Sequence, residues 1–228
     1  MKPRIYSLEN CAEIRGTAVV IDVLRAFTTA AYAFQAGAAS ILLAGTPQQA
    51  FDLRAKDPAL LLAGEVDGRP IPGFNLGNSP TQIRSSDLSG MRLVLRTSAG
   101  TQGVLRCGGA SQILAASLVN MGATVRHLQR SGPTEIGFVA TGLGDHHGEE
   151  DVACAEAGIQ LLQGAQPDWD AVCQAVQTSS AAVKFLAGND PDFPSTDLDA
   201  ALQVNHFNFT MVVQRCAGLW FLAPQSVS

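Results

Sequence analysis

The sequence predicts an α/β protein with a mainly parallel sheet built from β/α repeats. Three observations carry this. Short runs rich in Val, Ile and Leu recur along the 228 residues, stretches of helical length separate them, and the pattern favours a parallel sheet covered on both faces. A hydrophobic share of 46% suffices for a continuous core, and no linker or low-complexity segment divides the chain. A single α/β domain over residues 1–228 is expected, with room for two lobes and a substrate site between them.

The elements follow in order. TAVVID (17–22) is the first strand and 25–37 its helix; ASILL (39–43) and 46–56 repeat the pair. ALLLA (59–63) is the third strand. A Gly- and Pro-rich stretch from Gly64 to Pro80 then forms the longest irregular connection, whose apolar and turn residues favour order and a functional role. Ser79 as N-cap and Pro80 at the first helical position start the helix 79–84. MRLVLR (91–96) with 101–107, SQILAA (111–116) with 118–130, and EIGFVA (135–140) with 150–164 complete the repeats. Each apolar run is too short to be an independent helix. Helices at 169–187 and 197–215 and a last strand at 218–223 (GLWFLA) account for the rest.

Composition excludes several classes. Fifteen basic against twenty acidic residues give a net charge of -5, and no Lys/Arg stripe could follow a nucleic-acid backbone. No segment holds the roughly 20 apolar residues of a membrane span, and no signal-peptide pattern opens the chain. The expected location is therefore the cytoplasm. The five cysteines (Cys11, Cys107, Cys154, Cys173, Cys216) are widely spaced without CxxC pairs, so they read as reduced and mostly buried. A homodimer is expected only as the commonest assembly.

Ligands of open parallel sheets bind beyond the carboxyl ends of the strands, and there this sequence is unusually polar. Asp22 ends an apolar strand and Arg25 follows in the next helical turn, a carboxylate beside a guanidinium able to grip phosphate bidentately; the plain alternative is an Asp N-cap. Thr28 and Thr29 read as helix residues with satisfied hydroxyls, Thr29 above all. Glu65 beside Gly64 offers hard oxygen ligation for magnesium. Gly77, Asn78 and Ser79 precede a helix start whose free N–H groups suit an anion, or simply cap a helix. Arg96, Thr97, Ser98, Gly100 and Thr101 form a small-residue turn able to close around phosphate, or an ordinary strand-to-helix turn. Ser117 and Asn120 follow the fifth strand.

The stretch from Thr141 to Asp151 is the densest in polar residues. Part of its acidity, from Asp145, Glu149, Glu150 and Asp151, suits a first helical turn without further function. His146 and His147 point in different directions and lack further ligands at zinc spacing, so they read as a surface loop. Gly142, Gly144 and Gly148 miss the dinucleotide fingerprint by one place. Leu24 stands where an aspartyl-nucleophile phosphatase needs a second Asp, no Cys has an Arg six residues on, and no Arg-His-Gly occurs. Carboxylates, hydroxyls and arginines without a zinc set point to magnesium-assisted attack by water.

The motifs DVLRAFTTA (22–30), GEVDGRPIPGFNLGNSP (64–80), RTSAGT (96–101), SLVN (117–120) and EEDVACA (149–155) resemble, in order, those of the 2-phosphosulfolactate phosphatase family. The resemblance runs from about residue 17 to residue 160; beyond residue 165 only DLDAALQVN is suggestive. It implies a three-layer α/β/α fold and magnesium-dependent removal of phosphate from (2R)-2-phospho-3-sulfolactate, a step toward coenzyme M. Asn75, Ser98-Ala99 and Asn205 depart from the family pattern and bear on substrate specificity. The resulting expectation is that Asp22 and Glu65, with Asp151 or Glu150, hold magnesium directly or through water, one carboxylate serving as general base. Arg25 and the 97–101 loop hold the phosphate. Arg96 or Arg69 meets a second acidic group. The competing expectation is a non-catalytic binding protein for a phosphorylated metabolite.

Overall fold

A computed structural model describes residues 3–142 and 148–227. The readings at Gly144, Asp145, His146 and His147 lie outside these residues. In chain order the strands are β1 (Arg4–Tyr6), β2 (Thr17–Ile21), β3 (Ser40–Leu43), β4 (Leu61–Val66), β5 (Arg69–Pro70), β6 (Arg92–Arg96), β7 (Gln112–Ala116), β8 (Ile136–Ala140), β9 (Phe209–Cys216) and β10 (Leu219–Ser226). The helices are α1 (Ala26–Gln35), α2 (Pro47–Lys56), α3 (Pro80–Arg84), α4 (Gly100–Arg106), α5 (Met121–Ser131), α6 (Glu149–Leu162), α7 (Trp169–Gln177), α8 (Val183–Leu186) and α9 (Ser195–Ala201). Local chemistry sets the starts of two: Thr46 and Ser79 each accept a hydrogen bond from the amide three residues on, and Pro47 and Pro80 follow them.

The strand order is β1-β8-β2-β7-β9-β10-β3-β6-β4-β5. Neighbours within β1-β8-β2-β7 and within β3-β6-β4 are parallel, whereas the β9–β10 hairpin joins both groups by antiparallel pairing. The β3 group therefore runs opposite to the β2 group along the pairing. The hairpin curls the sheet around one helical layer: Val20, Ala115 and Val139 of the first group share a buried cluster with Ile41, Leu43, Leu93 and Leu95 of the second. Phe27 and Ala30 of α1 and Val104 of α4 fill it. The outer faces are covered separately, Val19, Leu114 and Phe138 by α5 and α6, and Leu62 and Val94 by Ala50 of α2. These are the layers of a three-layer α/β/α fold. Among the described residues no helix is long and apolar enough to cross a membrane.

Two expectations fail in the C-terminal part. The helix predicted over 169–187 is two, α7 and α8, because Thr178 and Ser179 turn their hydroxyls onto the carbonyls of Gln174 (2.9 Å) and Val176 (2.8 Å) while Ala182 N–H donates to Ser179 Oγ. Such side chains compete with the helical ladder. The helix predicted over 197–215 stops at Ala201. Asn205 takes a left-handed φ of 52°, and the β-branched and aromatic FTMVV run enters β9. Ala217 and Gly218, both at positive φ, make the two-residue turn into β10.

Leu222 of β10 is fully buried in the inner cluster. Leu222→Ala is expected to cost about 2–5 kcal/mol, the usual range for a buried leucine. Denaturant unfolding checks this, and a loss below about 1 kcal/mol would contradict the central role of the hairpin.

Candidate active site

Although the two strand groups run oppositely, their polar exits meet, the turn after β6 lying against Asp22 at the end of β2. Asp22 follows β2 and starts α1: its Oδ1 accepts from Ala26 N–H at 2.9 Å and its carbonyl from Phe27 N–H at 3.1 Å. The helix-capping reading of Asp22 is therefore met in geometry. The turn after β6 comes against its other oxygen, for a β-carbon on Gly100 would stand 2.8 Å from Asp22 Oδ2 and 2.7 Å from the Ala26 β-carbon. Glycine is needed there for the approach of backbone to carboxylate.

Three more carboxylates join this edge. Glu65, within β4, accepts from Gly68 N–H (2.6 Å), Ser98 N–H (2.6 Å) and the Ser98 hydroxyl (3.1 Å), which ties the β4–β5 turn to the loop after β6. Asp151 in the first turn of α6 accepts from Val23 N–H (2.8 Å), Thr141 N–H (3.0 Å) and the Thr141 hydroxyl (3.2 Å), clasping the exits of β2 and β8. Glu150 is buried, and its Oε2 has no hydrogen-bond partner among the described residues.

Two cavities meet here. One of about 260 Å³ is lined by Asp22, Arg25, Glu65, Asn78, Ser98 and Lys184 among others. The other, of about 510 Å³, is lined by Asp22, Thr141, Glu150, Asp151, Ser180 and Lys184 among others. Asp22, Leu24, Ala99 and Lys184 are common to both.

Burial sets the electrostatics. Desolvation, with the charges of Glu65 and Glu150 behind it, pushes the Asp22 carboxyl up to about 7 against the helping amides of Ala26 and Gly100. Desolvation also raises Asp151 well above the carboxylate range, reinforced by Glu150 and Asp22, and raises Glu150, with Glu149 adding to it. Lys184 moves down, chiefly through desolvation of its ammonium and then the Arg25 charge, while Glu65, Asp22 and Glu150 hold it up.

The predicted residues fall into groups. Arg25 is buried and lines the smaller cavity, but its guanidinium is engaged by protein: Nη1 donates to Asp197 Oδ2 and the Asp192 carbonyl, each at 2.8 Å, and Nη2 to the Gly68 carbonyl at 3.0 Å. Ser79 caps α3 and donates to Asp197 Oδ1 at 2.7 Å. The Gly77 N–H is taken by Gln82. Gly77, Asn78 and Ser79 line a further cavity of about 500 Å³ on the far side of Arg25, and Asn78 lines the smaller site cavity as well. Arg96 donates to the Glu65 carbonyl at 2.7 Å. Thr97 and Thr101 are buried and bond to each other's backbone, which shapes the turn holding Ser98 and Gly100. Ser117 and Asn120 are buried in the turn after β7, where Ser117 N–H donates to Asn120 Oδ1, and they line neither site cavity. Arg69 is largely exposed and paired with Asp190 and Asp192. Thr28 bonds the Val23 carbonyl as expected, whereas the Thr29 hydroxyl is buried with no partner among the described residues.

Two residues escaped the sequence reading. Asp197 has no apolar strand before it to mark it, although it opens the DLDAALQVN stretch. Lys184 sat inside a predicted continuous helix; the Thr178–Ala182 break that turns it toward the site was legible only as a run of small and hydroxyl residues.

Among the described residues no three carboxylate, His or Cys side chains stand together as a ready-made metal cluster. The donor chemistry fits magnesium nonetheless, because that ion keeps several waters and takes one or two carboxylates. Asp22, which lines both cavities, and the unpartnered Glu150 Oε2 suit this better than Glu65 and Asp151, each of which accepts from three donors.

The chain matches the family described as 2-phosphosulpholactate phosphatase over residues 5–214. Curated proteins named "Probable 2-phosphosulfolactate phosphatase" are similar to it: that of Deinococcus radiodurans is 42% identical over 146 residues, 64% of this chain and 61% of the relative. That of Bacillus subtilis is 32% identical over 200 residues, 86% of each. The matched part thus spans less than two thirds of the Deinococcus protein's length.

The Asp22 shift has a consequence for stability. A carboxyl raised in the folded state binds its proton more readily there than in the unfolded chain, so the contribution of Asp22 to stability is fully present below pH 3.8 and is lost as pH rises through about 7. In chelator, Asp22→Asn should therefore lose less thermal stability than the parent between pH 5 and pH 8. Scanning unfolding of both proteins reads this, and parallel pH profiles would contradict it.

Proposed function

We propose, from the premise that the chain belongs to the 2-phosphosulpholactate phosphatase family, that it is a magnesium-dependent phosphatase acting on a small phosphorylated hydroxy acid. The favoured substrate is 2-phospho-3-sulfolactate, giving sulfolactate and phosphate. The observation that carries the reading is the concentration of buried carboxylates around Asp22 at the junction of two cavities, with one oxygen of Glu150 unpartnered. A buried anionic cluster of this kind calls for a cation.

Asp22 and Glu150 hold magnesium, directly or through water. When bound it supplies positive charge to the phosphoryl oxygens. The turn at Ser98, Ala99 and Gly100 brings its backbone to the same junction, and Glu65 fixes that turn through Ser98. Asp151 fixes the opposite wall by clasping Val23 and Thr141. Attack of water on phosphorus breaks the bond to the hydroxy-acid oxygen; the water gives up its proton to a carboxylate of this edge, and the leaving alkoxide takes one back. Arg25 acts at one remove, because its guanidinium anchors Asp197, the Asp192 carbonyl and the Gly68 carbonyl around the smaller cavity.

The test is release of inorganic phosphate from a panel of phosphorylated hydroxy acids. Activity should vanish with chelator, return with magnesium better than with zinc, and fall at least about a hundredfold in Asp22→Asn, the order expected for losing a charge-stabilising group. Turnover by rigorously metal-free protein would overturn the magnesium assignment, and no release from any member of the panel would overturn the function.

A further inference from the structure

The cations near the site are not equivalent. Arg25 is spent on Asp197, and Arg69 on Asp190 and Asp192. Lys184 lines both cavities yet forms no ion pair among the described residues. Its ammonium lies 4.6 Å from the Phe193 ring centroid and 5.7 Å from that of Phe185, faces that hold a cation without consuming its hydrogen-bond donors. The β4–β5 turn closes the other side: a β-carbon on Gly68, at φ +81°, would meet Phe193 Cζ at 2.7 Å and Lys184 Nζ at 3.6 Å. The ammonium is thus fixed between an aromatic wall and a bare backbone turn.

A second observation lies across the same cavity. Asn78 is only 5% exposed, and its Oδ1 has no hydrogen-bond partner among the described residues. Buried amides are almost always bonded; no hydrogen bond among the described residues fixes which way the Asn78 amide faces, and turned over it puts its NH₂ donor where an acidic ligand oxygen can accept from it. The cavity of about 260 Å³ lies below the usual range for drug-sized ligands, and suits a three-carbon acid. In a protein of net charge -5, attraction of an anion must come from short-range donors such as these.

We propose that Lys184 and Asn78 form the subsite for the acidic tail of the substrate, a carboxylate or sulfonate, in the smaller cavity beside Asp22. This rests on the phosphatase reading and adds the group that separates a phosphorylated hydroxy acid from a plain phosphomonoester. The phosphoryl group and its cation then occupy the Asp22 and Glu150 side, and the tail reaches across Asp22 to Lys184. Arg96 and Arg69, the residues the sequence offered for the second acidic group, line neither cavity: Arg96 bonds the Glu65 carbonyl through Nη1, and Arg69 pairs with Asp190 and Asp192.

Calorimetric binding of two unreactive probes, sulfolactate and inorganic phosphate, tests the subsite without turnover. In Lys184→Gln the affinity for sulfolactate relative to phosphate should fall about tenfold or more, Asn78→Ala should shift the ratio in the same direction, and Lys184→Arg should retain most of it. An unchanged ratio in Lys184→Gln, or a parent protein that binds no sulfolactate, overturns the subsite. The failure of the catalytic reading would look different, as normal sulfolactate selectivity with no phosphate released from any phosphorylated acid.

Discussion

Like charge gathered where water is excluded is the constraint that organises this edge of the molecule. Asp22, Glu150 and Asp151 are buried within reach of one another's field, and each is pushed toward its protonated form mainly by desolvation. The fold answers each carboxylate differently. Asp151 is neutralised by backbone and hydroxyl donors from two strand exits, Glu65 by the β4–β5 turn and Ser98, and Asp22 in part by the start of α1. Glu150 keeps an oxygen with no such answer among the described residues. An edge so arranged is costly without a cation and well prepared for one.

A second ionic contact holds the walls in place. Asp197 of α9 is fully buried and accepts from Arg25, the Ser79 hydroxyl and Thr81 N–H, so the starts of α1 and α3 converge on one carboxylate. The opposite arm of Arg25 reaches the Gly68 carbonyl in the β4–β5 turn. This pairing explains why an arginine placed one turn after Asp22 is less open to a substrate than its position in the sequence suggests. Its planar fork spans three partners at fixed angles, which a lysine cannot reproduce.

Much of this was legible in the chain. Near-continuous apolar runs mark β2, β3, β6, β7 and β8 because strands buried on both faces need no polar positions, and a carboxylate ending such a run stands out, as with Asp22 and Glu65; Glu150 and Asp151 are marked instead by the acidic first turn of α6. What escaped depends on contacts far apart in sequence. The β9 segment reads as helix because it has no in-out alternation, its burial falling from the buried Thr210 and Met211 to an exposed end at Cys216, and the opposed direction of the two strand groups follows from that hairpin. Asp197 acquires its role from Arg25 and Ser79, and Lys184 reaches the site cavities beside Asp22 and Glu65, all more than a hundred residues away, which no local spacing records.

The most direct measurement is anomalous diffraction from crystals soaked with manganese in place of magnesium, since both ions favour oxygen ligands. The account predicts a metal peak at the junction of the two cavities, contacting Asp22 and Glu150 directly or through water. A peak at some other carboxylate group, or none at saturating manganese, would contradict it.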